Sequence, residues 1–283
     1  MTADLGAQKF ASFEPGRRLI FLGPTLGSRV RREEQQMAAV TERETITFSE
    51  IDSERFGVRI ARAHVASGQL SSILDFCAAE QIEMLIARCA ASDLAAAQSM
   101  EEMGFLLMDT LVYYSFDLTR KAIPEDTGEF RIRRLRSGDK PEVRNVASAA
   151  FKGYFGHYHA DRRLDSSKCD EGYSSWAERS CTTDDVAYEV LVAEDAGKVV
   201  GFATLRLNSP QEVEGLLFAV APESQGRGIC RSFMIQSLQW CWAQGARRMV
   251  ISTQVTNVSM QKVWCRTGFE PSHSLHTFHK WFT

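Results

Sequence analysis

One stretch of the sequence is repeated without a gap later in the chain. "LIARCAASDLAAAQSMEEMGF" (85–105) aligns with "MVISTQVTNVSMQKVWCRTGF" (249–269) at a constant spacing of 164 positions. Each copy reads as an apolar strand, a polar turn, a helix and a closing Gly-Phe. Such units are common, so chance similarity stays open. The gapless length nevertheless favours two copies of one ancestral unit.

The 283 residues are enough for two ordinary domains or one large one. Residues 1–44 show weak periodicity, and we interpret them as an arm without an assigned role. Residues 45–120 form a predicted N-terminal α/β domain, with strands at 55–65 and 83–90, helices at 71–81 and 92–105, and one or two strands at 106–118. Residues 121–129 contain Pro, Gly and charged residues but few apolar ones, which is typical of a linker.

A new series of elements begins at residue 130 and continues to residue 283. Its pattern predicts a strand (130–135), a helix (140–151), an aromatic and charged loop (154–165), a helix (167–181), three strands (187–195, 199–208, 213–221), a helix (228–244), a strand (247–255), a helix (257–268) and a weakly alternating tail. This half is predicted to be the second domain.

Composition excludes several classes of protein. Hydrophobic residues make up 44% and charged residues 24% of the chain, and the net charge is −3, so neither a nucleic-acid partner nor a membrane surface is indicated. The N-terminus lacks the pattern of a signal peptide, which favours the cytoplasm. The seven Cys have no C-x-x-C spacing and the six His no H-E-x-x-H pattern, so neither a disulfide framework nor a metal site is expected.

A glycine-rich turn follows the strand that ends at Val220. The run Gln225-Gly226-Arg227-Gly228-Ile229-Cys230 leads directly into a helical segment. Glycines let the backbone curl so that successive N–H groups point inward, and a helix start adds unpaired N–H groups with a partial positive charge. The turn therefore favours an anion cradle suited to a pyrophosphate, with Arg227 reaching phosphate oxygens. A plain glycine-rich turn would have the same sequence.

The turn resembles the acyl-CoA-binding signature of the GNAT superfamily of N-acetyltransferases, Gln/Arg-x-x-Gly-x-Gly/Ala after a V-x-P strand end. Gln225, Gly228 and Cys230 occupy its positions, with Cys230 replacing the usual Gly or Ala. The family's second signature, an Asn at a strand end before a helix that closes on Gly-Phe, is matched by Asn257 and by Gly268-Phe269.

The resemblance covers residues 130–283 and implies a GNAT fold, an α/β (α+β) architecture with a mixed, splayed central sheet. It implies acetyl-CoA, or another acyl-CoA, as co-substrate and no metal. The residues that would hold the co-substrate are Phe218, Val220, Gln225, Gly226, Arg227, Gly228, Ile229, Cys230, Asn257 and Trp264. Edge strands in such folds often pair between subunits, so a homodimer stays open.

The first half has a resemblance of its own. Asp52, Ser53, Glu54, Phe56 and Gly57 match a D-S-E-x-F-G element of the dTDP-fucosamine acetyltransferases and related sugar-nucleotide N-acyltransferases. Those enzymes carry a smaller, partial GNAT-like domain before the catalytic one. The resemblance therefore implies the same architecture here, with the amine of a nucleotide-linked amino sugar as acyl acceptor.

The resemblance also suggests catalytic groups. Glu214 lies six residues before Val220, where several GNAT enzymes carry a catalytic glutamate, and strand alternation places both on one side unless a bulge intervenes. An exposed strand-end glutamate is the alternative. His157 and His159 could replace Glu214 as the base, because histidine titrates near neutrality.

The general acid is less well defined. Many GNAT enzymes have a Tyr seven residues after the signature Asn, but this chain has Trp264 there. An indole N–H donates a hydrogen bond but cannot give up its proton at a useful pH. Another group or water could protonate the thiolate, it could leave unassisted, or the site could be inactive.

The loop at 154–165 is the expected acceptor contact, because it joins two helices where GNAT folds admit acceptors. Aromatic side chains stack on sugars or bases, and arginines pair with diphosphate. The residues expected to bind the acceptor are Tyr154, Phe155, Tyr158, Asp161, Arg162 and Arg163. An ordinary aromatic corner over the core remains the alternative.

The sequence therefore predicts an acyl-CoA-dependent N-acyltransferase acting on a nucleotide-linked amino sugar. Two other functions stay open, namely a GNAT enzyme acting on a protein or small-molecule amine and a non-catalytic acyl-CoA-binding module, which Trp264 would suit.

Overall fold

The structure, a computed structural model, describes residues 46–183 and 185–282, which lie within one compact unit, Glu44–Thr283. The arm expected at 1–44 lies outside the described residues. The first elements are β1 (Ile46–Phe48), α1 (Glu50–Phe56), β2 (Ile60–His64), α2 (Leu70–Ala79), β3 (Met84–Ala90), α3 (Leu94–Glu102) and β4 (Leu106–Asp117).

A second series follows the irregular segment after β4. It consists of β5 (Arg131–Arg134), α4 (Lys140–Ala150), α5 (His157–Ala160), α6 (Ser166–Ser180), β6 (Glu189–Asp195), β7 (Lys198–Ser209), β8 (Glu212–Val220), a 3₁₀ turn (Pro222–Ser224), α7 (Ile229–Ala243), β9 (Arg248–Gln254), α8 (Val258–Thr267) and β10 (Glu270–Trp281). No helix in the described part of the chain has the length and apolar character needed to span a bilayer.

The strands of the described residues form one mixed sheet in the order β1-β2-β3-β10-β4-β9-β8-β7-β6-β5. The β2–β3 and β8–β9 pairs are parallel, and the other neighbours are antiparallel. Helices α2, α3, α7 and α8 cover one face, and α4 and α6 cover the other. This confirms the predicted α/β class with a mixed sheet.

The repeat in the sequence extends over more of the structure than the aligned segment. Shifted by 164 positions, the bounds of β3 become those of β9, and the bounds of β4 become those of β10. Leu111 of β4 pairs with Leu275 of β10, its own repeat counterpart, so a local two-fold axis passes between them. The helix caps repeat as well, since Asp93 and Asn257 each accept a hydrogen bond from the amide three residues on. This symmetry favours a duplicated unit over chance similarity.

The two repeat units exchange their last strands. β10 lies between β3 and β4, and β4 lies between β10 and β9. Phe278 of β10 is 1% exposed within the core under α2 and α3, and Tyr114 of β4 is 7% exposed within the core under α7 and α8. Each half therefore completes the hydrophobic core of the other. The predicted domain division at 121–129 stays a prediction.

Two sequence-based expectations differ from the structure. Arg55 and Phe56 end α1 instead of starting a strand, because Gly57 (φ 75°) stops the helix and β2 begins only at Ile60. The predicted strand at 55–65 is therefore wrong in its first part. The loop predicted at 154–165 contains the short helix α5. Residues 106–117 form one long strand, which is one of the two alternatives predicted for 106–118.

We expect Phe278→Ala and Tyr114→Ala each to lower the free energy of unfolding by about 3–4 kcal/mol, the usual cost of emptying a core position of an aromatic ring. Leu106→Ala, on β4 but 64% exposed, is the control and should cost under about 1 kcal/mol. Urea unfolding followed by circular dichroism should show one transition for every variant, since the exchanged strands join both cores. Two separate transitions would contradict this coupling.

Candidate active site

The parallel strands β8 and β9 separate partway along their length. They pair from Glu212 with Arg248 as far as Gly215 with Ile251, and no pairing follows. Residues 216–220 line one side of the resulting gap and residues 252–254 the other. A splay of this kind leaves strand edges unpaired within the sheet, where an extended ligand can bind.

A β-bulge in β8 changes which side chains face which way. Thr204 of β7 pairs with Leu217, but its neighbour Leu205 pairs with Gly215, so Leu216 is an extra residue. As a result Val213, Phe218 and Val220 face the α7 core, whereas Leu217 and Ala219 face α4 and α6. Glu214, next to Val213, lies on the face opposite Phe218 and Val220. The bulge is the exception that the sequence prediction allowed for, and it places Glu214 and Val220 on opposite faces.

Backbone groups of β8 point into the gap. The amide of Ala221 donates to the carbonyl of Val200 on β7 at 2.9 Å. Since successive residues of an antiparallel strand alternate in direction, the amides of Val220 and Phe218 point away from β7. The carbonyl of Val220 accepts from the Gln225 side chain at 3.1 Å. The Val220 and Phe218 amides are thus the donors left beside the gap.

The glycine-rich turn forms the foot of the gap. Gly226 (φ 75°) and Gly228 (φ 86°) are left-handed, and a Cβ at either would meet nothing within 4 Å. Gly228 is the N-cap residue of α7, and no side chain there accepts a hydrogen bond from the first amides of the helix. The backbone amides of residues 226–230 donate a hydrogen bond to no acceptor among the described residues. This is the arrangement of a helix-start anion site, with open space above it.

The guanidinium of Arg227 lies away from this cradle. It pairs with Asp195 at 2.7 Å and stacks 4.5 Å from the centre of the Phe130 ring. Arg231, in the first turn of α7, lines the cavity instead and donates to the carbonyl of Glu125 at 3.1 Å. The expected contact between Arg227 and a phosphate would require this exposed ion pair to open.

A continuous cavity of about 1380 Å³ joins the gap to a chamber between α6 and the strands β2, β3 and β4. Of the residues expected from sequence, those that line it are Glu214, His157, Phe218, Val220, Gln225, Gly226, Gly228, Ile229, Cys230, Asn257, Trp264, Tyr154 and Tyr158. Those that do not are Arg227, His159, Phe155, Asp161, Arg162 and Arg163. The described residues include no cluster of three His, Cys, Asp or Glu able to hold a metal ion.

Asn257 and Trp264 hold the α8 side of the gap. The Asn257 side chain accepts from the amide of Met260 at 3.3 Å and donates to Thr253 at 3.0 Å, which fixes the start of α8 beside β9. Trp264 is 2% exposed and packs on the Tyr114 ring at 5.3 Å between centres. Its indole N–H is buried without a partner in the described structure.

A chain of hydrogen bonds leads from the protein interior to the chamber. Asp161 accepts from the indole of Trp281 at 2.8 Å and contacts Nδ1 of His279 at 2.8 Å, and Nε2 of His279 contacts Nδ1 of His157 at 2.9 Å. Burial raises the pKa of Asp161, but the bonds from His279 and Trp281 outweigh it and the net pKa lies below 3.8. The carboxylate is therefore ionised and acts as the acceptor.

The ionised Asp161 fixes the tautomer of both histidines. Burial lowers the pKa of His279 although the Asp161 carboxylate opposes the effect, and burial also holds the pKa of His157 well below 6.5, so both rings are neutral at pH 7. His279 then donates from Nδ1 and accepts at Nε2, so His157 donates from Nδ1. This leaves Nε2 of His157 as a lone-pair acceptor. Within the described residues this nitrogen has no hydrogen-bond partner, and it is accessible to solvent.

Tyr158 is held by the first half of the chain. Its hydroxyl donates to Asp52 at 2.7 Å and accepts from Arg62, which also contacts Asp52 at 2.6 Å. Burial raises the pKa of Tyr158, so the phenol stays protonated. Glu214 lines the chamber and pairs with Arg206 at 2.7 Å.

The remaining residues of the 154–165 region have other surroundings. Phe155 is 67% exposed, His159 contacts Asp170 at 3.0 Å, and Arg163 stacks 4.1 Å from the centre of the Trp281 ring. Asp161 is the buried anchor of the histidine chain. The predicted acceptor loop thus contributes Tyr154, His157 and Tyr158 to the cavity.

Sequence reasoning missed the residues that the first half contributes to the chamber, namely Arg62, Arg88 and Tyr113. A signal for two of them exists, because "IAR" occurs in both β2 and β3 and places an arginine inside an apolar strand. Burial raises the pKa of Tyr113, with the nearby Arg88 opposing the effect, so its hydroxyl also stays protonated.

Residues 148–269 match the model of the Acetyltransferase (GNAT) family. This segment contains the splayed strands, the glycine turn and α8, and the match supports an acetyltransferase. No curated protein matches the sequence.

Solved structures share the fold. A GCN5-related N-acetyltransferase from Sphaerobacter thermophilus has a TM-score of 0.60 at 16% identity, covering 83% of this chain and 76% of its own. A tandem GNAT protein from the clavulanic acid biosynthesis pathway has a TM-score of 0.54 at 14% identity, with coverages of 80% and 76%. A fungal GCN5-related glucosamine N-acetyltransferase region has a TM-score of 0.56 at 14% identity, with coverages of 83% and 31%. These similarities confirm the GNAT fold that the sequence resemblance implied.

The histidine chain predicts a measurable tautomer. At pH 7, ¹⁵N spectra of the histidine side chains should show His157 neutral, protonated at Nδ1 and unprotonated at Nε2, and His157 should stay neutral below pH 6.5. Asp161→Asn should mix the tautomers of His279 and His157 and leave His159 unchanged. A His157 protonated at Nε2 in the wild-type protein would contradict the derived direction of the bonds.

The lowered pKa values of His157 and His279 also make the stability of the fold depend on pH. The unfolded chain binds a proton at His157 and His279 below about pH 6.5, whereas the folded protein does not. The free energy of unfolding should therefore fall as the pH decreases from 6.5, and His157→Gln should reduce this slope.

Proposed function

We propose that this acetyltransferase moves the acetyl group of acetyl-CoA directly to the amine of a nucleotide-linked amino sugar. The observation that carries the proposal is the row of amides at 226–230 at the foot of the gap between β8 and β9. A thioester carrier with a diphosphate at one end and an extended amide arm at the other fits both features.

The diphosphate would bind the amides of 226–230, where the start of α7 contributes a partial positive charge. The open space at Gly226 and Gly228 favours this position. Arg231 lines the same part of the cavity and adds a cation. Cys230 is small enough for the turn, and burial raises its pKa to about 11, so it stays a neutral thiol and takes no part in the chemistry.

The thioester would lie beside Phe218 and Val220, whose amides point into the gap. The Val220 amide is the proposed donor to the thioester oxygen, which becomes negative as the amine attacks. One such donor contributes about 3–4 kcal/mol where water is excluded. The indole of Trp264 is not the acid, because its N–H is closed to solvent and does not give up its proton at a useful pH, so the sulfur leaves as the thiolate.

His157 is the better-supported base. Its Nε2 lone pair faces the chamber, and the chain through His279 to Asp161 stabilises the proton that it would accept. The carboxylate of Glu214 is the second candidate, but Arg206 already pairs with it. In the step, the acceptor nitrogen bonds to the carbonyl carbon, the carbon–sulfur bond breaks, the thiolate leaves and the ammonium proton moves to His157.

The acceptor end favours an amino sugar through its aromatic side chains. Tyr154, Tyr158 and Tyr173 line the chamber and offer ring faces and hydroxyls to a sugar. The same fold carries a glucosamine N-acetyltransferase region in the fungal neighbour. Arg162 and Arg163 do not line the cavity, so the diphosphate contact expected of them is not part of the proposal.

The experiment is a titration of the protein with CoA, followed by thiol release from acetyl-CoA with a panel of free, UDP-linked and dTDP-linked amino sugars, small amines and lysine peptides. We expect CoA to bind and the nucleotide-linked amino sugars to give the highest kcat/KM. Preference for peptides or small amines would contradict the acceptor. Binding without any turnover would favour a non-catalytic acyl-CoA-binding module.

The neighbouring histidines provide a matched test of the base. His157→Gln should lower kcat by about 10²–10⁴-fold, the usual contribution of a general base, with the KM for acetyl-CoA unchanged. His159→Gln should change kcat less than threefold, because His159 does not line the cavity.

Glu214→Gln separates the two candidate bases. It should cost less than His157→Gln and keep the acidic limb of the pH–rate profile, which for the wild-type enzyme lies below pH 6.5. A larger loss in Glu214→Gln than in His157→Gln would assign the base to Glu214.

A further inference from the structure

The middle of β3 carries an arginine whose charge is not neutralised. Arg88 lies in a transverse row across four strands, with His64 on one side and Thr277 and Asp109 on the other. Its Nε donates to the Thr277 hydroxyl at 3.3 Å. Within residues 46–183 and 185–282, Arg88 forms no ion pair and its two Nη groups have no hydrogen-bond partner. Both Nη groups are accessible to solvent.

Charged groups on the strands and on the helix α1 beside Arg88 are already paired, whereas Arg179, on α6, also lines the cavity without an ion pair among the described residues. Arg62 and Arg55 both contact Asp52, and Arg206 pairs with Glu214. Arg88 is therefore the cation left over where β2, β3 and β4 line the chamber. Its charge lowers the pKa of His157, which places it near the proposed base.

The carboxylate of Asp109 is the one alternative counterion in the row. Both of its oxygens are buried without a hydrogen-bond partner, and it does not line the cavity. In the row, Thr277 lies between Asp109 and Arg88. The Asp109 carboxylate therefore does not contact the Arg88 guanidinium in this structure.

We propose that the acyl acceptor carries an anionic group, a carboxylate or a phosphate, which the two Nη groups of Arg88 bind. A guanidinium with two free donor groups matches the two oxygens of such an anion. A cation left without a partner beside a cavity is costly unless a ligand neutralises it. The inference rests on the proposed function, because it gives the first half of the chain the role of anchoring the acceptor while the second half holds the acyl donor.

The test compares amines that differ only in the anion. The full-length protein, saturated with acetyl-CoA, is assayed by thiol release with glucosamine against glucosamine 6-phosphate, the free against the UDP-linked amino sugar, and glycinamide against glycine. We expect the anionic member of at least one pair to have a kcat/KM at least tenfold higher. The sugar pairs report a phosphate and the glycine pair a carboxylate.

Variants assign the effect to Arg88. Arg88→Gln should lower kcat/KM for the anionic amine about 10- to 100-fold, the range expected for losing a charge-assisted hydrogen-bond pair. It should leave the neutral amine and the KM for acetyl-CoA unchanged, and Arg88→Lys should restore part of the loss. Arg131→Gln, on β5 and 67% exposed, is the control and should behave as wild type. Equal loss for both amines would overturn the proposal.

A binding measurement covers the case in which no amine is turned over. Inorganic phosphate and succinate are titrated by calorimetry into the CoA-saturated protein, so that the glycine turn is already filled. Heat from either anion in the wild type but not in Arg88→Gln supports the proposal, and equal heats or none overturn it. If the separate titration shows that the protein does not bind CoA, that result contradicts the proposed function and not the anion site at Arg88.

Stability measurements exclude a purely structural role. If Arg88 served only to neutralise Asp109, Arg88→Gln would destabilise the fold and adding Asp109→Asn would restore it. Under the proposal, the double variant regains no activity toward anionic amines. Recovery of that activity in the double variant would contradict the proposal.

Discussion

β10 hydrogen-bonds to β3 along residues 275–281, and β4 does the same with β9 along residues 111–117. Because each strand comes from the opposite repeat unit, neither unit has a complete sheet without the other. The exchange also determines which side chains meet. It places His279 of β10 where its ring reaches both Asp161 and His157. It also places Tyr113 of β4 at the edge of the gap.

The chemistry is divided between the two ends of one cavity. At the foot of the gap, backbone amides provide positive partial charge without any titratable group, so this end would hold anions over a wide pH range. In the chamber, a neutral histidine, protonated phenols and paired carboxylates lie near Arg88, which forms no ion pair within the described part of the chain. Charge is thus concentrated where a ligand could neutralise it, and the base stays neutral because burial disfavours its charged form.

The glycine turn and the repeat were predictable because both rest on local rules. Gly226 and Gly228 are needed for left-handed backbone before a helix, and the Gly-Phe helix ends recur at fixed spacing. The exchanged strands were harder to predict, because β4 and β10 share their length and pairing but little sequence. The bulge at Leu216 was not predicted, although Gly215 next to it is the kind of strand glycine that often marks a bulge.

The candidate site was predictable in the parts that one segment supplies. The residues of the turn at 225–230 other than Arg227 line the cavity, and so do Asn257 and Trp264. The chamber could not be predicted in the same way, because Arg88, Tyr113 and His279 come together only through the strand exchange. Asp161 shows most clearly what could not be predicted from the sequence alone. A loop carboxylate of this kind reads as a ligand contact, and only the fold reveals that it anchors a histidine.

The central claim is that the amides around Gly226 and Gly228 bind the phosphates of acetyl-CoA. It is tested most directly by calorimetric titration of CoA into the wild type and into Gly226→Ala, Gly228→Ala and Gly197→Ala. All three glycines are left-handed with open space at Cβ, so each variant carries a similar backbone cost of about 1–2 kcal/mol. We predict CoA affinity about tenfold weaker for the first two variants, the equivalent of about 1.4 kcal/mol, and unchanged for Gly197→Ala in the β6–β7 turn. Equal affinity in all four proteins, or no heat from the wild type, would contradict the claim.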